Sequence, residues 1–439
     1  MWEIVGIIAF FLVILASIAL HEVGHLVPAK KFGVKVTEYM VGFGPTVWSK
    51  VRGETRYGLK AVPVGGYIRM VGMIPPPKGA PEGTVGRMST GRLATMVEDA
   101  RRQSLEEIAP GDENRLFYTL PVHKRVIIML GGPFMNLVIA FLLFGAVLVG
   151  IGTPQTTLQV NAVVPCVPSV SNPTGAVQPD GTCALGASPA AAAGLQAGDT
   201  IVAVDGRSPG SWEDMTTAVR EGGARIVEVT VQRPDGTTVV LPVEVVEVTR
   251  PVYDEAGEPT GQTQTTGFLG LRPEIDYVPQ PWSSVPAAMW DLTVRSAVAL
   301  VSLPIRFYEL VSDTLIGGGE RQVDSPVSVV GVSRLGGEIV ASEESGEAKL
   351  AIFLGLAASL NLFLFLFNLL PILPLDGGHV AGALYEGSRR QLARLRGRPD
   401  PGPVDVARMM PVAYVVAVVL VGIGAVVIFA DLVKPITLG

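Results

Sequence analysis

Apolar residues along this chain gather in long unbroken runs, not in the alternating or 3.6-residue stripes of a water-soluble core. Four runs reach the roughly 20 residues that a helix needs to cross a bilayer. They are Ile4 to Val27, with the dense stretch IIAFFLVILASIAL, then Val126 to Ile151, Leu350 to Leu373 and Met410 to Leu432. A fifth stretch, Trp290 to Leu310, carries Asp291, Arg295, Arg306 and Pro304. Its remaining apolar run is too short to span, and an interfacial or soluble amphipathic helix suits it better. The first run has no positive charge before it and no small-residue cleavage site after it, so it reads as a retained helix and not as a signal peptide.

Between the second and third runs the pattern changes. LQVNAVV and TIVAVDG alternate like half-buried strands, and Ser188 to Asp199 reads as a short helix followed by a turn. IVEVTVQRPDG and TTVVLPVEVVEV predict a hairpin around Asp235-Gly236,. Together these predict a compact β-rich domain over 157–250, with Thr265 to Val278 adding a strand outside its core. Nearer the start, Arg56 to Met70 holds strand-forming residues broken by Pro63, Gly65 and Gly66. Pro75 to Leu120 is rich in Gly, Pro, Arg and Glu, with one amphipathic helix predicted over Leu93 to Ile108.

Composition agrees with the runs. At 48% hydrophobic and 17% charged residues, a 439-residue chain is too apolar for an ordinary soluble protein,. The net charge of -6 argues against nucleic acid as a partner,. Charge also orients the chain. The connection between the first two runs holds Lys30, Lys31, Lys35, Lys50, Arg52, Arg56, Lys60, Arg69 and Lys78. The connection between the last two holds Arg389, Arg390, Arg394, Arg396, Arg398 and Arg408. Basic connections stay in the cytoplasm, which leaves both termini and the β-rich domain outside. Cys166 and Cys183 both fall in that outside segment. An oxidising compartment permits a disulfide between them; two small unpaired core residues are the alternative.

Chemistry concentrates at the end of the first run. His21-Glu22-Val23-Gly24-His25 places two imidazoles at i and i+4, on one face of a helix, with a glutamate beside them,. In this H-E-x-x-H pattern the histidines hold zinc and Glu22 serves as general base to the attacking water. His21 lies roughly 9 Å inside the cytoplasmic end of its span at 1.5 Å per residue. Ionisable groups at that depth are expensive unless they are used. Zinc needs a third protein ligand, and Asp376, in NLLPILPLDGGH, is the best candidate. If the first and third runs both enter from outside, their ends meet on the cytoplasmic side, an argument that a further span between them would remove. Pro371, Pro374, Gly377 and Gly378 break the helix there,. His379 is a lesser rival ligand and reads better as a residue that supports one or as part of the loop. Asn368 is polar within an apolar run, and either binds substrate or packs helices.

HEVGH in the first run and NLLPILPLDGG at the end of the third resemble the site-2 protease family of intramembrane zinc metalloproteases, in particular its bacterial group with a PDZ domain. Gly42-Phe-Gly-Pro45, Pro63-Val-Gly-Gly-Tyr67 and Gly131-Gly-Pro-Phe-Met-Asn136 resemble it too, so the likeness covers nearly the whole chain. The second proline of the span-three motif, Pro374, sits one residue later than in many relatives. The resemblance implies a polytopic α-helical membrane protein with four transmembrane helices, a membrane-reentrant β-loop and an extracytoplasmic β-rich PDZ domain. The corresponding segments are 1–30 with HExxH, 31–125, 126–151, 157–250 for the PDZ domain, 251–349, 350–379 with the LDG motif, 380–409 and 410–432.

It further implies zinc held by His21, His25 and Asp376, with Glu22 catalytic and Asn368, Gly65, Gly66 and Tyr67 on the substrate. The expected partners are the lipid bilayer and single-span membrane proteins, anti-sigma factors above all, cut a second time after another protease has shed their outside domain. Remnant signal peptides are a further substrate class. The expected location is the bacterial inner membrane, multi-pass, with the active site near the cytoplasmic side. The PDZ domain would bind a peptide end or exclude bulky substrates. Two rivals differ in testable ways. A membrane-anchored zinc peptidase would take its third ligand from a glutamate outside the lipid, and a PDZ-bearing adaptor would hold no zinc.

Overall fold

In the computed structural model the described residues are 1–75, 102, 104, 106, 108–168, 175–178, 181–253, 259–316, 321 and 325–436. They fall into two compact units: Met1–Ile151 with Gln280–Gly439, and Gly152–Pro279. The helix expected over Leu93 to Ile108 lies almost wholly outside the described residues.

The first unit is built on helices. Helix α1 (Trp2–Lys31) is apolar for most of its length, and Lys30 and Lys31 in its last turn complement the negative end of the helix dipole,. Helix α2 (Val122–Gly145) continues through a π-helical turn to Ile151. It runs antiparallel to α1, since His25 meets Ile128 while His21 meets Asn136. Gly24 and Gly131 let the two backbones touch. A Cβ on Gly24 would lie 2.2 Å from the Gly131 carbonyl oxygen, and a Cβ on Gly131 would lie 2.0 Å from that of Gly24.

The second unit is a six-stranded antiparallel sheet. Its strands are β3 (Thr153–Val163), β4 (Thr200–Val204), β5 (Arg225–Gln232), β6 (Thr238–Tyr253), β7 (Pro259–Phe268) and β8 (Leu271–Val278), in the order β7-β6-β5-β4-β3-β8. Short helix α3 (Pro189–Ala192) and helix α4 (Trp212–Glu221) accompany it. Alternate residues Val227, Val229 and Val231 of β5 and Val243 and Val245 of β6 are buried with Ile201, Trp212 and Met215. The β5–β6 turn closes at Asp235-Gly236, where Gly236 takes φ 85° and Asp235 Oδ1 accepts from the Thr237 N–H. The strand expected beyond the domain core is instead part of the sheet: β8 pairs with β3 and β7 with β6, and Leu269 between them joins the core. Cys166 and Cys183 form a disulfide.

The chain then returns to the first unit with α5 (Ser284–Val311), α6 (Val329–Ala341), α7 (Gly346–Asn368), α8 (Asp376–Leu395) and α9 (Met410–Val433). Helix α7 runs beside α1 in the same direction. Phe10 packs edge-on against Phe353, ring centroids 5.2 Å apart, and further along Asn361 Nδ2 donates to Ser17 Oγ at 3.0 Å. Gly336 and Gly337 of α6 sit directly against Phe10, Ile7 and Glu3 of α1.

Five described helices are long and apolar enough to cross a membrane: Trp2–Lys31, Val122–Ile151, Ser284–Thr314, Gly346–Asn368 and Val406–Val433. This corrects the expectation that the stretch around Trp290 to Leu310 falls short. Asp291 and Arg295 pair across one turn at 2.7 Å, Arg306 donates to Ser302, and Pro304 is accommodated inside the helix. The third expected span also ends earlier than Leu373. Helix α7 stops at Asn368, and the proline-containing segment 369–375 carries the chain to α8.

Two strands complete this unit, β1 (Val36–Arg52) and β2 (Thr55–Met70), joined at Gly53 with φ 64°. Repeated register shifts fold the hairpin back on itself. Glu38 to Val41 pair on one side with Arg56 to Leu59 and on the other with Gly66 to Arg69. The strand from Gly66 is therefore outermost in this small sheet.

Candidate active site

Helix α1 carries His21 and His25 one turn apart, as their spacing requires. Their Nε2 atoms lie 3.2 Å from each other and each 3.3 Å from Oδ2 of Asp376, the first residue of α8. Four ligands about 2.0 Å from a tetrahedral ion are themselves about 3.3 Å apart, so this triangle has the dimensions of three zinc ligands. The donor set fits as well. Asp376 Oδ2 is buried and makes no hydrogen bond despite its two close neighbours, and the carbonyl of Ile128 lies 2.8 Å from Nδ1 of His25. With the proton on Nδ1 donated to that carbonyl, Nε2 of His25 keeps a lone pair for a metal. Among the described residues this is the only group of three such side chains close enough to share an ion.

The break before α8 delivers the carboxylate. The Leu373-Pro374 bond is cis, and a Cβ on Gly377 would lie 2.3 Å from the Leu370 carbonyl oxygen. Segment 369–375 thus doubles back tightly on the start of α8, a path only glycine allows at that point. Helix α8 is held from its far side by Glu386, which accepts from the Arg125 guanidinium of α2 and pairs with Arg390 at 3.1 Å.

A cavity of about 290 Å³ opens beside the triangle, lined by Glu22, Gly66, Tyr67, Ile68, Met70, Asn368, Pro374 and His379 among others. Glu22 is buried, and Gly66 makes room for it: a Cβ there would lie 2.9 Å from Glu22 Cγ. Asn368, the last residue of α7, lines the cavity while its amide donates to the Leu364 carbonyl at 3.0 Å. Tyr67 donates to Glu38 at 3.0 Å. Gly65, with φ 97°, packs against the Phe43 ring and is not on the cavity wall. His379 lines the cavity but stands outside the three-atom cluster.

Reasoning from sequence marks Gly131 to Asn136 as family-like but gives Asn136 no task beyond helix packing, and so misses the contribution of α2. Gly132 leaves space for both imidazoles, since a Cβ there would lie 2.2 Å from His25 Nε2 and 2.7 Å from His21 Nε2. Asn136, fully buried, approaches His21 Nδ1 at 3.2 Å. The available signal was the Gly131-Gly132 doublet followed one turn later by an amide inside an apolar helix.

A metallopeptidase with two histidines on a membrane-length helix and a carboxylate at the start of another helix is the class that these distances describe. Comparison with known proteins agrees with it. Residues 9–399 match the model of Peptidase family M50. Zinc metalloprotease Rip1 of Mycobacterium tuberculosis (strain ATCC 25618 / H37Rv) is 36% identical, over 100% of this chain and 100% of its own. Metalloprotease MmpA of Caulobacter vibrioides is 27% identical over 89% of each chain. Regulator of sigma-W protease RasP of Bacillus subtilis (strain 168) is 26% identical over 87% of this chain and 90% of its own. The chain belongs to Peptidase family M50, the site-2 proteases; it is a membrane protein and a zinc metalloprotease.

Proposed function

We propose that His21, His25 and Asp376 hold the zinc and that Glu22 is the general base in hydrolysis of peptide bonds within transmembrane segments of single-span proteins. The observation that carries this reading is the triangle of two Nε2 atoms and one Oδ2 atom with sides of 3.2, 3.3 and 3.3 Å. Zinc, when bound, supplies Lewis acidity to water and to the scissile carbonyl. Glu22 takes the proton from the attacking water and passes it to the leaving amine. Its burial beside Gly66 keeps that carboxylate aimed into the cavity.

A transmembrane helix hides its peptide bonds in its own hydrogen bonds and must unwind to be cut. The outermost strand from Gly66 through Tyr67 runs along the cavity, where it can pair with an unwound stretch as an added strand,. Asn368 on the facing wall supplies an amide to the same backbone. Gly65 supports this edge by setting its turn.

The second unit reads as a PDZ-type domain. Between α4 and the β7–β8 turn it has a groove of about 360 Å³, lined by Trp212, Met215, Val219 and the stretch Thr266 to Arg272. Such a groove takes a peptide end, and a domain of that size can also exclude bulky substrates. Basic connections on either side of the site support a location near the cytoplasmic face of a bacterial inner membrane, with the second unit outside. The substrates that fit are single-span anti-sigma factors already shortened by another protease, a reading to which the name of the RasP relative lends weight. Remnant signal peptides share the same chemistry.

The test compares wild type with Glu22→Gln. The variant should keep its zinc and accumulate uncut single-span fragments in the membrane. Normal cleavage by Glu22→Gln would remove the role given to that residue, and a wild-type protein purified without zinc would remove the ligand set.

A further inference from the structure

Helix α2 contributes no ligand to the triangle, yet it touches both imidazoles on their far sides. The Ile128 carbonyl takes Nδ1 of His25. Asn136 lies two turns further along the helix, 1% exposed, with its Nδ2 atom 3.2 Å from Nδ1 of His21 and its Oδ1 atom buried without any hydrogen-bond partner. Two features of that arrangement conflict with a metal on Nε2 of His21. A histidine that ligates through Nε2 carries its proton on Nδ1 and must donate it, so an amide NH₂ group facing it would set donor against donor. An amide oxygen buried without a donor also costs about 1–3 kcal/mol. A half-turn of the amide, which exchanges two atoms of nearly equal size, removes the donor-against-donor contact and gives the oxygen a donor in the His21 Nδ1–H.

We propose that Asn136 is a positioning residue for the metal centre: its Oδ1 accepts the Nδ1–H of His21, fixing the tautomer and ring angle that point the Nε2 lone pair at zinc. Helix α2 then orients both histidines, one through a main-chain carbonyl and one through a side-chain amide. Gly132, one turn before Asn136, keeps the space between them open. This division follows from the antiparallel crossing at Gly24 and Gly131, which puts Ile128 beside His25 and Asn136 beside His21 and leaves a main-chain oxygen within reach of only one ring. The proposal rests on His21 being a ligand.

The test measures zinc affinity by chelator competition on the purified full chain in detergent, for wild type, Asn136→Leu and Asn136→Asp. Leucine fills the space without an acceptor and should weaken zinc binding by about 10- to 100-fold. Aspartate accepts but cannot donate, and should bind zinc within a few-fold of wild type. If Asn136 only packed helices, or acted through its NH₂ group, the buried charge of aspartate would do at least as much harm as leucine. That order, or wild-type affinity in Asn136→Leu, overturns the proposal. Thermal unfolding of the zinc-free proteins separates loss of the fold from loss of the ligand's orientation. A wild type that binds no zinc would instead refute the ligand set itself, a different failure.

Discussion

At the scale of single residues, the site depends as much on atoms left out as on groups present. A methyl group on Gly132 would lie 2.2 Å from His25 Nε2. That imidazole cannot swing aside without giving up its bond to Ile128. Gly132→Ala should therefore abolish zinc retention through dialysis while the helices remain folded, read by metal analysis beside circular dichroism. Gly131→Ala meets backbone instead, 2.0 Å from the Gly24 carbonyl oxygen, and should cost about 1–3 kcal/mol of stability through overpacking, read by thermal unfolding,.

A third residue-scale expectation concerns pH. Arg115 donates to both carboxylate oxygens of Glu54 near the β1–β2 turn, at 2.8 and 2.7 Å, and this holds the Glu54 carboxyl below its usual range. A lowered carboxyl in the folded state stabilises fully above the unfolded value of about 4.3 and loses its contribution as pH falls through the folded value. Proteolytic nicking at the Gly53 turn should thus rise on acidification in wild type. In Glu54→Gln it should be raised already at neutral pH and change little with acid.

The residues legible in sequence were those whose signal is local. HEVGH declares itself by spacing, and Asp376 by the prolines and glycines around it, and the structure brings one atom each of His21, His25 and Asp376 together. Asn136 and Gly132 gave a weaker signal, a glycine doublet with an amide one turn later, because their task is set across a helix crossing and not along the chain. His379, read from its place beside Asp376 as a lesser rival ligand and by preference as a supporting or loop residue, stands outside the cluster.

At the scale of elements, the long apolar runs gave the helices and the alternating runs gave the second unit's strands, because burial of a whole helix or of one sheet face writes itself into the pattern. The ends were harder to read. Helix α7 stops at Asn368, before its apolar run does, since the residues after it stay apolar while packing as a broken loop. The position of α8 is likewise set by a contact remote in sequence, the pair of Arg125 with Glu386, in which both groups are almost fully buried. Removing one member of such a pair leaves an uncompensated charge. Glu386→Gln should therefore cost about 3–5 kcal/mol, and Arg125→Met with Glu386→Leu clearly less. Denaturation in detergent measures both. An undisturbed Glu386→Gln protein would mean that α8 is held by other contacts.

For the whole molecule the open question is how many helices cross the membrane, because α5 is long and apolar enough to make a fifth. The contacts at its ends argue that it does not cross. Helices α2 and α9 both start beside Glu386: Arg125 reaches it from the first turn of α2, and the Val404 N–H donates to it just before α9. If both cross the membrane from that shared start, the two helices run the same way and their C-terminal ends lie on one side. Helix α5 is tied to those same ends, with the Gln280 N–H donating to the Leu148 carbonyl at its start and Leu310 packed with Val427 and Ala430 at its finish. On this reading α5 begins and ends on one side and should lie across the bundle, although its first turns also pack against Ala140 and Leu362 within it. That count would leave α2 as the single crossing between α1 and α7, which run in the same direction and so need an odd number between them. Both native cysteines are in the disulfide, so one introduced cysteine is a unique thiol. An impermeant thiol reagent should reach Ser283→Cys, Ser312→Cys and Glu344→Cys from the outside, and Gly53→Cys and Arg396→Cys from the cytoplasm. Labelling of Ser312→Cys together with Gly53→Cys would make α5 a fifth span, and the direction shared by α1 and α7 would then require a further crossing after it.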